Sequence, residues 1–354
     1  MGAPDDGSRA TIRAVAALAG VSPSTVSRTL NNPELVNAET RRRVLDSADR
    51  LGYQPNRAAQ SLVLGRTMSV GLIVPDIGNP FFAPFIKGVE AYFRDKGYAV
   101  FLADTDEDAV TEVALAEAMI ERADGLILCS PRMSGTRLRS VAAKTTMVLA
   151  NRLSRTVPSI SMDVRPGIEQ AVSHVHALGH RRCAFLGGPR DSWSNRQRRR
   201  FLEAGCAARG IELVELGPYE PRFSGGFRAA DEVLAADVTA VFAYNDLVAL
   251  GALSRLQARG VSVPGEIGLV GFDDIPMASM VSPPLTTIAV PIPAVARTAA
   301  AMLLALLGKE AGMPAGPAAL TSAAASAVSA AAPPPPSAPE LATRLVIRST
   351  TGPT

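Results

Sequence analysis

The chain has 354 residues, 47% hydrophobic and 19% charged, an ordinary globular balance with room for two or three domains. No apolar run approaches the ~20 residues of a membrane helix, and the acidic start MGAPDDGSRA lacks the apolar stretch of a secretory signal. Cys129, Cys183 and Cys206 are too few and scattered for a disulfide framework, lack metal-ligand spacing, and point to a reducing cytoplasm.

Charge is distributed unevenly. The formal net charge is +3, yet Arg9 to Arg66 carries nine arginines against four acids, so the basic excess sits in the first fifth of the chain. That patch coincides with a helix–turn–helix pattern, the footprint of a DNA-binding module. Thr11 caps a helix whose inward face is Val15, Ala16 and Leu18, and Ala19-Gly20-Val21 makes the turn. Ser22 caps a second helix and Pro23 fits its first position, where no amide is needed. Val26 and Leu30 point to the core, leaving Pro23, Ser24, Ser27 and Arg28 on the outer face. A recognition helix reads the major groove from that end, and Arg28 is suited to guanine, worth ~1–3 kcal/mol of discrimination. Ser22, Thr25, Ser27 and Asn31 are candidate phosphate contacts. A third helix is expected from Asn37 to Gly52, with Val44, Leu45, Ala48 and Leu51 inward. A plain bundle with a solvated basic face would account for Arg41–Arg43 alone, but not for turn, caps and charge together.

After Tyr53-Gln54-Pro55, Asn56 to Leu64 reads as one brief helix closed by Gly65, too short to stand alone in water. The residues permit two readings: a hinge that orders on DNA, or a linker whose Leu62 and Leu64 pack on the next domain.

From Met68 onward strand-like and helical runs alternate. The strands are Ser69–Val74, Tyr98–Ala103, Gly125–Cys129, Thr146–Ala150, Cys183–Gly187, Thr239–Ala243 and Ile267–Gly271. Repeated βαβ units make parallel sheets, and two sheets fit the length better than one. Ligands bind at the carboxyl ends of such strands. The polar groups there include Asp76 and Asn79 in PDIGNPFF, Asn151, Arg198, Asn245 and Asp273, with Phe81, Phe82 or Trp193 able to stack on a sugar face. His174 and His180, six apart with no third ligand, read as a structural lock and not as a metal site. Gly187-Gly188 is a turn, since no GxGxxG accompanies it.

The segments AGVSPSTVSRTLN, ETRRRVLDSADRLGYQPN and NRAAQSLVLGRT resemble the headpiece of the lactose/galactose-repressor family, and the resemblance continues through PDIGNPFF and H…LGHRR along nearly the whole chain. It implies a dimeric, ligand-regulated transcription factor without cofactor or metal. The implied fold is an all-α helix–turn–helix headpiece followed by an α/β core of two Rossmann-like lobes, like periplasmic sugar-binding proteins. The implied domains are a headpiece over 9–55, a hinge helix over 56–66, and a core over 67–354. Lobe 1 is expected at about 68–163 and 293–310, lobe 2 at about 164–290 and 341–354, with 313–339 an Ala/Pro-rich flexible insert. Pro23, Ser24 and Arg28 fall at base-reading positions. Leu62 matches the wedge that kinks the operator centre, Ala59 the close contact between paired hinges, and Asn56 and Arg57 backbone or groove contacts. Arg198 and Asp273, then Asn151 and Asn245, match effector contacts. The sequence departs from the family at Ala14, usually an acid, and at Phe201-Leu202, where glycine and an aromatic are usual.

The expected activity is therefore that of a repressor-type regulator of double-stranded operator DNA, controlled by a small molecule, most simply a sugar. A solute-binding protein would use the same core but would need an export signal and no Thr11–Leu64. A glycosidase is disfavoured, because adjacent Asp273-Asp274 do not span the ~5–9.5 Å between its carboxylates.

Overall fold

Local signals set the first three helices of the computed structural model, which describes residues 11–31, 33–53, 66–310 and 341–354. Thr11 Oγ1 accepts the Ala14 amide at 3.2 Å and starts α1 (Ile12–Ala19). Gly20 ends it at φ 64°, a left-handed conformation that glycine adopts without steric cost. Ser22 Oγ accepts the Thr25 amide at 3.1 Å and starts α2 (Pro23–Asn31). Asn37 Oδ1 accepts the Thr40 amide at 2.8 Å and starts α3 (Ala38–Arg50). Val15, Ala16, Ala19, Val26, Val44 and Ala48 form their common core. Three expected core leucines are corrected: Leu18, Leu45 and Leu51 are 43%, 47% and 37% exposed. On α1 the inward stripe runs through Ile12, Val15, Ala16 and Ala19, and Leu18 falls on its flank; Leu51 lies beyond the last turn of α3.

Met1–Thr67 and Met68–Thr354 are two separate compact units. In the second, β1 (Ser69–Val74), β2 (Ala99–Asp104), β3 (Gly125–Cys129), β4 (Thr146–Ala150) and β5 (Ser159–Ile160) form an all-parallel sheet in the order β2-β1-β3-β4-β5. Crossover helices α4 (Phe82–Arg94), α5 (Ala109–Ile120) and α6 (Gly135–Ala142) link its strands. All six residues of β1 are buried, which explains its unbroken apolar run. Each fully buried aliphatic side chain there contributes ~1.5–3 kcal/mol.

The chain then enters a second lobe. It comprises α7 (Arg165–Ala177), β6 (Arg182–Leu186), α8 (Trp193–Ala207), β7 (Glu212–Leu216), α9 (Phe223–Ala235), β8 (Ala240–Ala243), α10 (Asp246–Ala258), β9 (Gly268–Asp273), α11 (Met277–Met280) and β10 (Thr286–Ala289). Next, α12 (Ile292–Glu310) returns to the first lobe and packs on α4, β3 and β4. Finally β11 (Arg344–Val346) joins the second sheet, whose order is β11-β10-β9-β8-β6-β7 and whose pairs are parallel except β10 with β11.

The expected fold class is therefore what the chain adopts: a helical head and two Rossmann-like lobes. In each lobe the strand order reverses once, between β1 and β3 and between β6 and β8. Those reversals open the crevices in which such sheets bind ligands. Strands β5, β7 and β10 escaped the sequence reading. The hinge residues Asn56, Arg57, Ala59 and Leu62 and the 313–339 segment lie outside the described residues.

Candidate functional site

Two surfaces carry the chemistry. On the headpiece, Pro23, Ser24 and Arg28 are exposed, and Thr25 and Ser27 are half-buried. Ser22 Oγ lies 2.7 Å from Ser24 Oγ and 2.9 Å from Thr25 Oγ1, so the cap knits these hydroxyls together at the start of α2. The Asn31 side chain lies outside the described residues, although its backbone closes α2. Amides and hydroxyls at a helix N-terminus, with a guanidinium one turn further on, suit a phosphate backbone and a base edge.

In the core, the carboxyl ends of the strands carry unusual backbone. Asp106, Glu107, Ser130, Asn151, Asp273 and Asp274 have φ of 50°, 63°, 51°, 56°, 118° and 57°, and all follow or end β2, β3, β4 or β9. Such conformations cost about 1–3 kcal/mol each and gather where function needs them.

Lobe 2 centres on Arg198, in the second turn of α8 and buried with Asp273. Arg198 Nη2 donates to Asp273 Oδ1 at 3.1 Å, and Nη1 donates to the Tyr244 carbonyl. Its guanidinium lies 3.6 Å from the Phe272 ring centroid and 4.8 Å from that of Tyr244. Burial pushes the Asp273 carboxyl up to about 7, against the pull of Arg198. Arg198 Nε and Ser194 Oγ are buried without a partner among the described residues. Behind Arg198 a cavity of only about 10 Å³ remains, lined by Leu202, Phe242 and Phe272 among others.

Both side-chain atoms of Asn245 are engaged: Oδ1 accepts the Val248 amide at 2.9 Å as the cap of α10, and Nδ2 donates one N–H to Pro221 O at 2.9 Å. Trp193, half-buried, opens α8, where Ser192 Oγ meets the Tyr244 hydroxyl at 3.1 Å. Neighbouring Asp246 is buried, accepts from Thr287 Oγ1 and the Ile275 amide, and titrates well above the usual carboxylate range because it is desolvated.

In lobe 1, Asp76 Oδ1 accepts the Gly78 amide at 2.8 Å and Asn79 Oδ1 the Phe81 amide at 3.0 Å. Phe81 and Phe82 meet edge to face at 4.9 Å and are buried in the hydrophobic core, which leaves Trp193 as the more accessible of the three stacking candidates. Asn151 Nδ2 donates to Ser130 Oγ at 2.8 Å.

Around Ser130 lies a cluster that the sequence did not reveal. Buried Arg132 pairs through Nε with Glu107 at 2.6 Å and donates to Ser130 O at 2.9 Å. Glu112 Oε2 accepts the Arg132 and Met133 amides at 2.9 and 2.6 Å. Arg152 Nη1 donates to the carbonyls of Pro131 and Met133 at 3.0 and 2.7 Å. The visible signal is Glu112, one of two acids in the largely apolar helix AVTEVALAEAMI.

Burial pushes Glu112 up to about 7, although two amides, Arg132 and Arg152 oppose it. A carboxyl raised in the fold stays protonated there between its unfolded and folded values, so stability is greater below that window and falls as pH rises through it. Glu112→Gln is expected to remove roughly 2–3 kcal/mol of the fall between about pH 4.5 and 7, read from urea midpoints across pH.

A shallow groove of about 630 Å³ on lobe 2, lined by Glu169, Gln170, Ser173, His174, Arg209 and Leu345 among others, does not collect such groups. Several of its polar atoms are engaged: Leu345 N donates to Gln170 Oε1, Arg209 to Ser173 Oγ, and His174 Nε2 meets Thr351 Oγ1. His180 likewise bridges Thr239 Oγ1 and Gly352 O, the structural lock expected of it.

The bacterial regulatory protein model of the lacI family matches residues 11–56, and the periplasmic binding protein-like domain matches 172–351. Catabolite control protein A of Priestia megaterium is 32% identical over 312 residues, 85% of this chain and 93% of that protein. This chain belongs to the lacI family of bacterial regulators. The Lac repressor dimer bound to operator and the anti-inducer ONPF matches this lacI-family chain at TM-score 0.81 and 25% identity, over 97% of this chain and 99% of that one. A lacI-family regulator of Enterococcus faecalis V583 with bound ribose matches at TM-score 0.65 and 25% identity, over 81% of this chain and 99% of that one. No helix among the described residues of this lacI-family protein is long and apolar enough to cross a membrane.

Proposed function

We propose that this chain is a homodimeric, cytoplasmic repressor-type regulator that binds operator DNA and is controlled by a small molecule, a sugar, held without turnover between its two lobes. The observation that carries the reading is α2, which presents Pro23, Ser24 and Arg28 on an exposed N-terminal face within the lacI-family match. A solute-binding role leaves that face unexplained. In the cleft, the Arg198–Asp273 pair and the unpartnered Ser194 hydroxyl offer the donors and acceptors that vicinal hydroxyls need. Asn151 follows β4 and Asn245 follows β8, while Asp76, Asn79, Phe81 and Phe82 follow β1 and Trp193 follows β6, all at carboxyl ends of strands. The effector shifts operator affinity only as far as it prefers one arrangement of the core over the other.

A dimer sets two copies of α2 about 34 Å apart, one helical turn of DNA. The second copy has a surface to meet. Phe101 and Leu102 lie exposed on edge strand β2, and Phe223 and Phe227 stack at 6.4 Å on α9 with Leu234 on the same side of the helix. Phe227→Glu is expected to shift sedimentation toward monomer and to weaken operator binding at least ~100-fold, since each head then binds alone.

Selection of genomic fragments by the full-length protein, followed by competition with random duplex, tests the reading as a whole. A recovered near-palindrome held at least ~1000-fold more tightly than random DNA is expected. Equal affinity for every duplex, with and without a panel of sugars, would overturn it.

A further inference from the structure

Arg222 lies outside the effector contacts above yet reaches both lobes. It caps α9 in lobe 2, and its Nε donates to Asp76 Oδ2 at 2.9 Å while Nη2 donates to Asp106 Oδ1, both acids being in lobe 1. Among the described residues these are the two ion pairs that join one lobe to the other.

Both anchors are stiff. On the lobe 2 side, Pro221 O is held by Asn245 Nδ2 at 2.9 Å. At the fourth residue of α9, Gly226 packs so closely on α10 that an added Cβ would lie 1.8 Å from Val248 O. The start of α9 is thus fixed to the helix that Asn245 caps, next to Tyr244, whose carbonyl receives Arg198. On the lobe 1 side, Asp104 accepts the Asp106 amide at 2.9 Å and the Ile77 amide at 3.1 Å, tying the two acidic loops together. Glu107, next to Asp106, holds Arg132. A continuous run of polar contacts therefore leads from the Arg198 pocket through Arg222 to the ends of β1 and β2.

We propose that Arg222 is an interlobe clasp, a positioning residue that favours the closed cleft without contacting the effector. The proposal rests on the regulatory reading above and deepens it. A bound molecule that needs closed lobes is helped by the clasp, because apparent affinity scales with the fraction already competent. Arg222 is 39% exposed and Asp106 81%, so salt should loosen the clasp.

The test is the distance between lobes in the full-length protein without added metabolite. Ser140→Cys on α6 and Ala208→Cys after α8 place spin labels on exposed positions of lobes 1 and 2, diluted with unlabelled protein. The native cysteines are buried and stay unlabelled, since burial pushes Cys129 and Cys183 up to about 12 and Cys206 to about 11. Double electron–electron resonance should give one dominant distance in this background. Arg222→Ala and Asp106→Asn, from opposite sides of the cleft, should each raise the fraction at other distances about fivefold. Salt at about 1 M should do the same to the parent and add little to Arg222→Ala. Retention of the parent distribution by either variant overturns the clasp. Failure of the regulatory reading would show separately, as unlabelled protein selecting no genomic fragment.

Discussion

Asp273→Ala is expected to leave a regulator that binds its operator but no longer answers its effector. Asp273 and Arg198 are each about 95% buried and pair at 3.1 Å. Removing the carboxylate strands a guanidinium among Phe272, Tyr244 and a carbonyl, a loss of about 3–5 kcal/mol when a buried pair is broken from one side. The melting point of the core should therefore fall. On the proposed effector role of Asp273, up to two charge-assisted hydrogen bonds to sugar hydroxyls, at about 1.5–3 kcal/mol each, would vanish with it. Effector affinity should drop at least ~100-fold. Asp273→Asn keeps the shape and one acceptor, and should fall between the two. Operator binding should persist because the headpiece is a separate compact unit with its own core. The measurement is calorimetric titration with the sugar that gives the largest thermal shift, beside operator binding by gel shift. A wild-type response midpoint in Asp273→Ala would remove this pair from the effector site.

Arg28→Ala should reduce operator affinity about 10- to 100-fold and leave random duplex nearly as before. The reason lies in what its neighbours lack. Pro23 has no amide hydrogen, and the Ser24 hydroxyl is already 2.7 Å from Ser22 Oγ. Arg28 is the long, charged donor on that exposed face, and a bidentate contact to guanine is worth ~1–3 kcal/mol. Fluorescence anisotropy on the selected fragment and on random DNA, at matched salt, separates the roles. Equal losses on both, with the salt slope reduced by about 1, would make Arg28 a phosphate contact and no more.

What the sequence disclosed was local, and what it withheld was distant. Thr11, Ser22 and Asn37 each cap within three residues, so their helices could be placed to within a residue or two. Strands buried on both faces, such as β1, announce themselves as apolar runs. Strand β7 does not, because it is an edge whose Glu212 and Glu215 face water. Nor does β10, whose buried Thr286 and Thr287 hydroxyls are satisfied by Thr351 and Asp246. The polar residues at the strand ends were legible one at a time. Their pairing was not: Arg132 meets Glu107 across 25 positions and Arg222 meets Asp76 across 146, separations that only the folded sheets bring together.

A head with a private core also has an engineering consequence. Val15, Val26 and Val44 belong to one buried cluster that lies wholly within the first unit. Address and signal are thus held in exchangeable cassettes. Transplanting residues 1–67 onto the lobes of a cousin that responds to a different metabolite should yield a chimera that visits the same promoters under new chemical command.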